Sequence, residues 1–211
     1  MSIYDDISSA VQRGKKKEVK PLVQQALDEG LDPIEILNEG LVPAMGIIGE
    51  KFSAGEVFVP EMLVAARAMS AGTELLKPHL AAEGAEPVGR AVIGTVKGDM
   101  HDIGKNLVRM MIESKNIEVA DLGVDVAPEA FVDYVREHPD TDLVCLSSLL
   151  TTTMPMIPET IKALEEAGLR DGVKVMVGGA PVTQAFADEV GADAYTEDAG
   201  AAAIKAAELV A

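Results

Sequence analysis

Tryptophan is absent from this 211-residue chain, cysteine occurs once, and aromatic residues make up only 3%. Proteins that grip exposed bases stack them on aromatic rings, and this chain has few to offer. Positive charge is also scarce: 18 Lys and Arg stand against 35 Asp and Glu, a formal net charge of −17. Phosphate contacts need cations in excess, so the balance argues against nucleic acid as a partner. No apolar run approaches the ~20 residues of a membrane-spanning helix. The first residues, Met1 to Asp6, lack the basic and apolar regions of a secretion signal. The single Cys145 sits inside Leu143-Val144-Cys145-Leu146 with no basic neighbour, and reads as a buried structural thiol. These absences lead us to expect a cytoplasmic protein without a membrane or nucleic-acid partner.

What remains is ordinary for a globular chain: 48% hydrophobic and 25% charged residues, enough for one large or two small domains. The first ~80 residues carry helical periodicity only. Ile3, Ile7 and Val11 form one stripe that stops at Gly14, and Val19, Leu22, Val23, Ala26 and Leu27 form a second that ends at Gly30. Lys15-Lys16-Lys17 reads as a solvated start to that second helix. Asp32 is a good N-cap with Pro33 at the first helical position, and this third helix is expected to run to about Phe52 with a kink at Pro43. A fourth opens at Pro60-Glu61 and continues towards Pro78. Four helices with short connections suggest a bundle. Residues 83–89 are small, acidic and contain a proline, as a linker would.

Beyond the linker the pattern alternates. Strand-like runs fall at 91–96, 117–121, 143–147 and 173–177, with a weak one at 192–195, and helical stretches separate them at 105–114, 128–137, 155–166, 183–190 and 199–209. Such alternation implies a parallel, doubly wound sheet of five strands. We therefore expect three regions: a helical cap over 1–82, a linker over 83–89 and an α/β domain over 90–211.

In an open α/β sheet, ligands bind at the carboxyl ends of the strands. The first such end carries Asp99-Met100-His101-Asp102-Ile103-Gly104. It sets an imidazole beside a carboxylate, the usual arrangement for a metal-ligating histidine whose second nitrogen is oriented by an acid. A phosphate-binding GxxxxGK[ST] loop fails here, because Gly98 to Gly104 has one spacer too many and Asn106 follows Lys105. No GxGxxG follows the strand. The third strand ends in Leu146-Ser147-Ser148 where a phosphate-receiving domain would want an aspartate. The neighbouring edge loops offer the hydroxyl-rich Ser147-Ser148-Leu149-Leu150-Thr151-Thr152-Thr153 and the bare Gly178-Gly179-Ala180, where a ligand can approach backbone N–H groups. His79 and His138, each beside a proline, read as surface-turn residues with no catalytic role.

The order Asp99-x-His101-x-x-Gly104, then Ser147-x-Leu149, then Gly178-Gly179 resembles the signature of corrinoid-binding domains that hold cobalamin base-off and His-on. The likeness extends through Lys105-Asn106, Thr151 to Met154 and Ala180 to Thr183. In the helical half, Gly55 to Pro60 and Ala65 to Met69 are similar to the cap of methionine synthase and of stand-alone corrinoid proteins. It implies a helical bundle cap followed by a flavodoxin-like cobalamin domain. By this resemblance His101 is the lower axial ligand of cobalt, in place of the cofactor's dimethylbenzimidazole. Asp99 accepts a hydrogen bond from its other nitrogen, and Thr153 extends the relay. Met100, Asp102, Ile103, Gly104, Ser147, Leu149, Thr151, Gly178, Gly179 and Ala180 contact the cofactor or line the channel for its nucleotide tail. Phe58, with Met62 and Leu63, covers the upper face.

The resemblance further implies a methyl carrier with a cobalamin or related corrinoid as cofactor. It would take a methyl group from a substrate-specific methyltransferase and pass it to a second one, acting for tetrahydrofolate or coenzyme M. A reductive activase would be a further partner. No general base or substrate pocket is visible, so the chain reads as one component of an enzyme system. The rival readings are a cobalamin-binding sensor module, which needs a DNA-binding part, and a mutase subunit, which usually lacks the cap. The sequence does not disclose the methyl donor.

Overall fold

The computed structural model describes residues 2–82 and 86–211; residues 83–85 of the expected linker lie outside the described residues. The chain divides into two compact units, one of residues 1–87 with 114–116, the other of residues 88–113 and 117–211. Among the described residues no helix is long and apolar enough to cross a membrane.

The first unit is all-helical: α1 (Ile3–Gln12), α2 (Lys16–Asp28), a single turn α3 (Pro33–Glu35), a π-helical segment (Ile36–Leu41), α4 (Val42–Ser53) and α5 (Val59–Ala82). Ser2 and Asp5 form a reciprocal capping box at α1, and Asp32 caps α3 through the Ile34 N–H at 2.7 Å. The expected kink at Pro43 takes the form of the π segment just upstream. Proline cannot donate to the carbonyl four residues back, and its ring crowds that carbonyl. Widening the preceding turn shifts the bonding pattern, so that Val42 N–H reaches Leu37 O, five residues back. α5 runs past Pro78, the expected end, to Ala82, so His79 lies in a last helical turn and not in a surface turn. The apolar stripes meet in a core of Ile7, Val11, Val19, Val23, Leu41, Met45, Met69 and Leu76. Gly72 lets the helices close up, since a Cβ there would lie 3.0 Å from both Leu41 and Val19.

The second unit is the doubly wound domain. Its strands are β1 (Gly89–Thr95), β2 (Ile117–Asp121), β3 (Leu143–Ser147), β4 (Lys174–Gly178) and β5 (Ala194–Tyr195). All pair in parallel, in the order β2-β1-β3-β4-β5. Its helices are α6 (Ile103–Glu113), α7 (Pro128–Glu137), α8 (Met156–Glu166), α9 (Gln184–Val190) and α10 (Ala199–Val210). A parallel sheet must be covered on both faces, and the strands supply alternate residues to two cores. Val92, Val144, Leu146, Val175 and Val177 pack with Phe131, Val135, Ile157, Ile161 and Leu164 of α7 and α8. Ala91, Ile93, Leu143, Cys145 and Met176 pack on the other face with Ile112 of α6 and Ala202 and Ala206 of α10. Cys145 is thus buried, and burial pushes its thiol up to about 12. The order of strands reverses between β1 and β3, so the loops after them flank a topological switch point, where ligand crevices open.

Candidate functional site

The loop after β1 is folded back on itself before α6 begins. Thr95 Oγ1 donates to the His101 carbonyl at 2.8 Å, closing the turn from inside. The loop after β2 clamps it from outside: Gly98 N–H donates to Asp125 Oδ1 at 2.6 Å, and Asp125 N–H donates to the Asp99 carbonyl at 2.9 Å. Asp125 holds a φ of +54°, an uncommon conformation for a residue other than glycine.

Asp99 is fully buried at the centre of this arrangement. Its Oδ1 accepts from His101 Nδ1 at 2.7 Å and from His101 N–H at 3.1 Å. Its Oδ2 accepts from Leu149 N–H at 2.7 Å and from Thr153 Oγ1 at 2.9 Å. Burial alone would raise the carboxyl's pKa. The His101 ring, the Leu149 and His101 N–H groups and the Thr153 hydroxyl outweigh it and hold Asp99 well below the usual carboxylate range. An ionised carboxylate can only accept, so His101 Nδ1 must carry a proton. In the neutral ring the lone pair therefore resides on Nε2. The His101 side chain is 49% exposed against none for Asp99, so a sunken acid orients an accessible imidazole.

The loop after β3 brings the other partners across fifty or more residues of chain. Thr153, nearly buried, joins Asp99, and so does the backbone of Leu149. Ser147 ends β3, paired in register with Thr95 and Gly178, and Thr151 is exposed. Gly179 sits at φ +130°, where a Cβ would lie 1.8 Å from Ser148 O; only glycine lets the two loops touch. Gly104 is different. A Cβ there would meet nothing within 4 Å, so the protein's own packing does not require glycine in this first turn of α6. Met100 and Ile103 are 69% and 78% exposed, an apolar pair flanking His101 in sequence, and Leu150 and Ala180 are exposed too. Asp102 works locally: its carbonyl accepts the Asn106 N–H at 2.8 Å and its carboxylate the Asn106 amide at 3.3 Å.

In the helical unit Phe58 is 66% exposed while Met62 is completely buried. Of this pair, only Phe58 presents its side chain to the surroundings. His138 caps α7, its Nδ1 2.9 Å from the Tyr134 carbonyl and its ring stacked on Tyr134.

Two features escaped the sequence reading. Lys105 is almost fully buried, and its Nζ lies 2.6 Å from both Asp121 oxygens and 2.9 Å from Asn106 Oδ1. Asp121 also accepts from Gly123 N–H, and Arg109 stands 3.3 Å away. Burial pushes the Asp121 pKa up, but the Lys105 hydrogen bond, the Gly123 N–H and the two cations bring it below its ordinary value. This pair ties the start of α6 to the end of β2; Lys105 directly after Gly104, at a helix start, was its one signal in the chain. Ser148 is the second: its side chain is buried, 2.9 Å from Thr153 Oγ1. A hydroxyl doublet at a strand end, where alternation turns one member inward, was the available clue.

The donor set suits a metal that arrives within a macrocycle. Among the described residues no group of three or more His, Cys, Asp or Glu side chains could hold a metal ion, and His101 offers one oriented nitrogen with the exposed Met100 and Ile103 near it in sequence. Comparison with known proteins agrees. Two family models, each described as a B12 binding domain, match residues 89–207 and 3–77. The chain is 46% identical over 211 residues to dimethylamine corrinoid protein 1 of Methanosarcina acetivorans, covering 99% of this chain and 98% of that one. A corrinoid protein of Desulfitobacterium hafniense is 41% identical, covering 94% and 93%. Among solved structures, a cobalamin-binding protein from Desulfitobacterium hafniense superposes with a TM-score of 0.84 at 31% identity, covering 100% and 99%. The methanol:cobalamin methyltransferase complex of Methanosarcina barkeri gives 0.86 at 29% identity, covering 99% of this chain and 79% of that one.

Proposed function

Because the chain belongs to the B12-binding corrinoid proteins of methyltransferase systems, we propose that it carries methyl groups on a corrinoid held through His101. Its cofactor is a cobalamin or related corrinoid. The observation that carries the axial role is the buried Asp99 carboxylate, which fixes the proton on His101 Nδ1 and leaves Nε2 to donate. A carboxylate behind an imidazole raises its basicity and holds its plane, so Asp99 makes His101 a firm ligand. Thr153 and the Leu149 N–H hold that carboxylate in turn. Held this way, the cofactor would leave its own dimethylbenzimidazole unligated, and Gly104, Ser147, Thr151, Gly178 and Gly179 would hold its nucleotide tail. The open side of Gly104 and the side-chain-free contact at Gly179 support this course. Residues 1–82 act as a cap, 83–89 as a linker and 90–211 as the cobalamin domain.

The bound corrinoid supplies the cobalt that accepts a methyl group and gives it up; the protein supplies ligation, orientation and shielding. The donor is a methylated amine, delivered by a substrate-specific methyltransferase in the cytoplasm, and a second methyltransferase passes the methyl to tetrahydrofolate or coenzyme M. A reductive activase restores the carrier. The 46% identity to a dimethylamine corrinoid protein supports the donor class, and the methyltransferase complex of the structural relative supports docking to such an enzyme. The test is reconstitution with cobalamin followed by the paramagnetic resonance spectrum of the reduced Co(II) form. Wild type should show the three-line splitting of one axial nitrogen, turning to two lines when its histidines carry 15N, and His101→Ala should show no response to that label. A wild-type splitting that ignores the label, or a variant that still responds to it, would refute His101 as the ligand.

A further inference from the structure

We propose that Ser148 is a positioning residue of the relay, orienting the Thr153 hydroxyl so that its hydrogen points at Asp99. This inference rests on the axial role of His101 argued above. Besides the Ser148 hydroxyl at 2.9 Å, Thr153 Oγ1 has two acceptors in reach: Asp99 Oδ2 at 2.9 Å and the Leu150 carbonyl at 3.0 Å. A hydroxyl has one hydrogen and must choose. The Leu150 carbonyl already accepts from two backbone groups, Thr153 N–H at 3.0 Å and Met154 N–H at 3.1 Å, so both its lone pairs are engaged. The ionised Asp99 is the stronger acceptor.

Ser148 completes the choice. Its buried Oγ is 2.9 Å from Thr153 Oγ1 and 3.3 Å from the crowded Leu150 carbonyl, so its hydrogen goes to Thr153. A hydroxyl that accepts a hydrogen bond is polarised into a better donor, and the chain Ser148→Thr153→Asp99 reinforces itself. Asp99 in turn accepts from His101 Nδ1–H. Ser148 touches no cobalt ligand; it acts through Thr153.

Its backbone adds a second reason why this position is particular. Ser148 N–H donates to the Gly178 carbonyl at 3.1 Å, and its own carbonyl lies against Gly179. One residue therefore joins the histidine relay to the glycine pair of the β4 loop.

A double-mutant cycle tests this in the full-length, cobalamin-loaded protein, using Ser148→Ala, Thr153→Val and the double variant. The readout is the ratio of nitrogen-ligated to unligated Co(II) at one fixed pH, taken from the paramagnetic resonance spectrum, with thermal unfolding of the cofactor-free chains alongside. One neutral hydrogen bond lost corresponds to a fall of about threefold to tenfold in that ratio. Ser148→Ala should show such a fall in the wild-type background and none in the Thr153→Val background. Ser148→Cys, which keeps the shape with a weaker donor, should fall between Ser and Ala. Equal effects of Ser148→Ala in both backgrounds, no effect in the wild type, or a Cys variant no better than Ala would each overturn the proposal. His101→Ala with 15N-labelled histidine separates this outcome from failure of the axial reading: if its splitting still responds to the label, or the wild type's does not, the ligand assignment itself is wrong.

Discussion

Replacing Asp99 by asparagine keeps the shape of the buried side chain and removes its charge, which makes it the sharpest perturbation of the site. The carboxylate accepts four hydrogen bonds, two on each oxygen. An amide can present only one oxygen. If its NH₂ faces the Oδ2 side, Thr153 can accept from it and turn its own hydrogen to the Ser148 hydroxyl, but Leu149 N–H loses its partner. If it faces the Oδ1 side, His101 can change tautomer, but His101 N–H loses its partner instead. Each orientation leaves a backbone donor unsatisfied, at about 1–3 kcal/mol, and weakens the remaining bonds, which were charge-assisted. The expected loss is about 2–4 kcal/mol of folding stability at neutral pH, measured by urea unfolding of the cofactor-free chain. Because the folded pKa of Asp99 lies below the unfolded one, its contribution is complete above the ordinary carboxylate pKa. It is lost as pH falls from there through the folded value. The difference between wild type and variant should therefore shrink as pH drops below about 4. A loss under about 0.5 kcal/mol at neutral pH, or a difference that does not narrow in acid, would refute this account of Asp99.

Two glycine substitutions should part company. Gly179→Ala should destabilise the fold by several kcal/mol, about the cost of a strained φ plus an overpacked contact, because its Cβ collides with Ser148 O. Gly104→Ala should leave unfolding unchanged or up to about 1 kcal/mol more favourable to the folded state, yet weaken cobalamin binding in a titration of the same samples; intact binding would remove Gly104 from the tail channel. Lys105→Met should cost about 2–4 kcal/mol, since it removes the near cation and leaves Asp121 the Gly123 N–H and the more distant Arg109. Lys105→Met with Asp121→Leu should recover most of that loss, and a double variant no better than the single would show the pair not to be the cause.

The fold was largely legible because its signals are local. Residues 117–121, 143–147 and 128–137 stand as strand, strand and helix at the limits read from periodicity, and the other elements of the α/β unit differ by a few residues. Discrepancies gathered where a local rule met a tertiary one. Pro78 marks an expected helix end, but Leu76 is buried in the bundle and α5 continues to Ala82. Pro43 implied a kink without showing that the adjustment would be a π segment upstream. Phe58 and Met62 were both expected to cover the cofactor, but Met62 is buried in the packing of α5 while Phe58, just before that helix, is exposed.

The sequence by itself determined the sheet edge that matters and the acid–imidazole pair upon it, because Asp99 and His101 are two residues apart in one turn and need no distant partner to meet. It also carried the glycines that bare the neighbouring loops. Tertiary structure decided what Asp99 is. Leu149 and Thr153 lie some fifty residues away, and only the β1–β3 register brings their donors to its second oxygen. A carboxylate in water would titrate normally; this one is buried and held ionised by four converging donors, a property of the folded neighbourhood that no local pattern encodes.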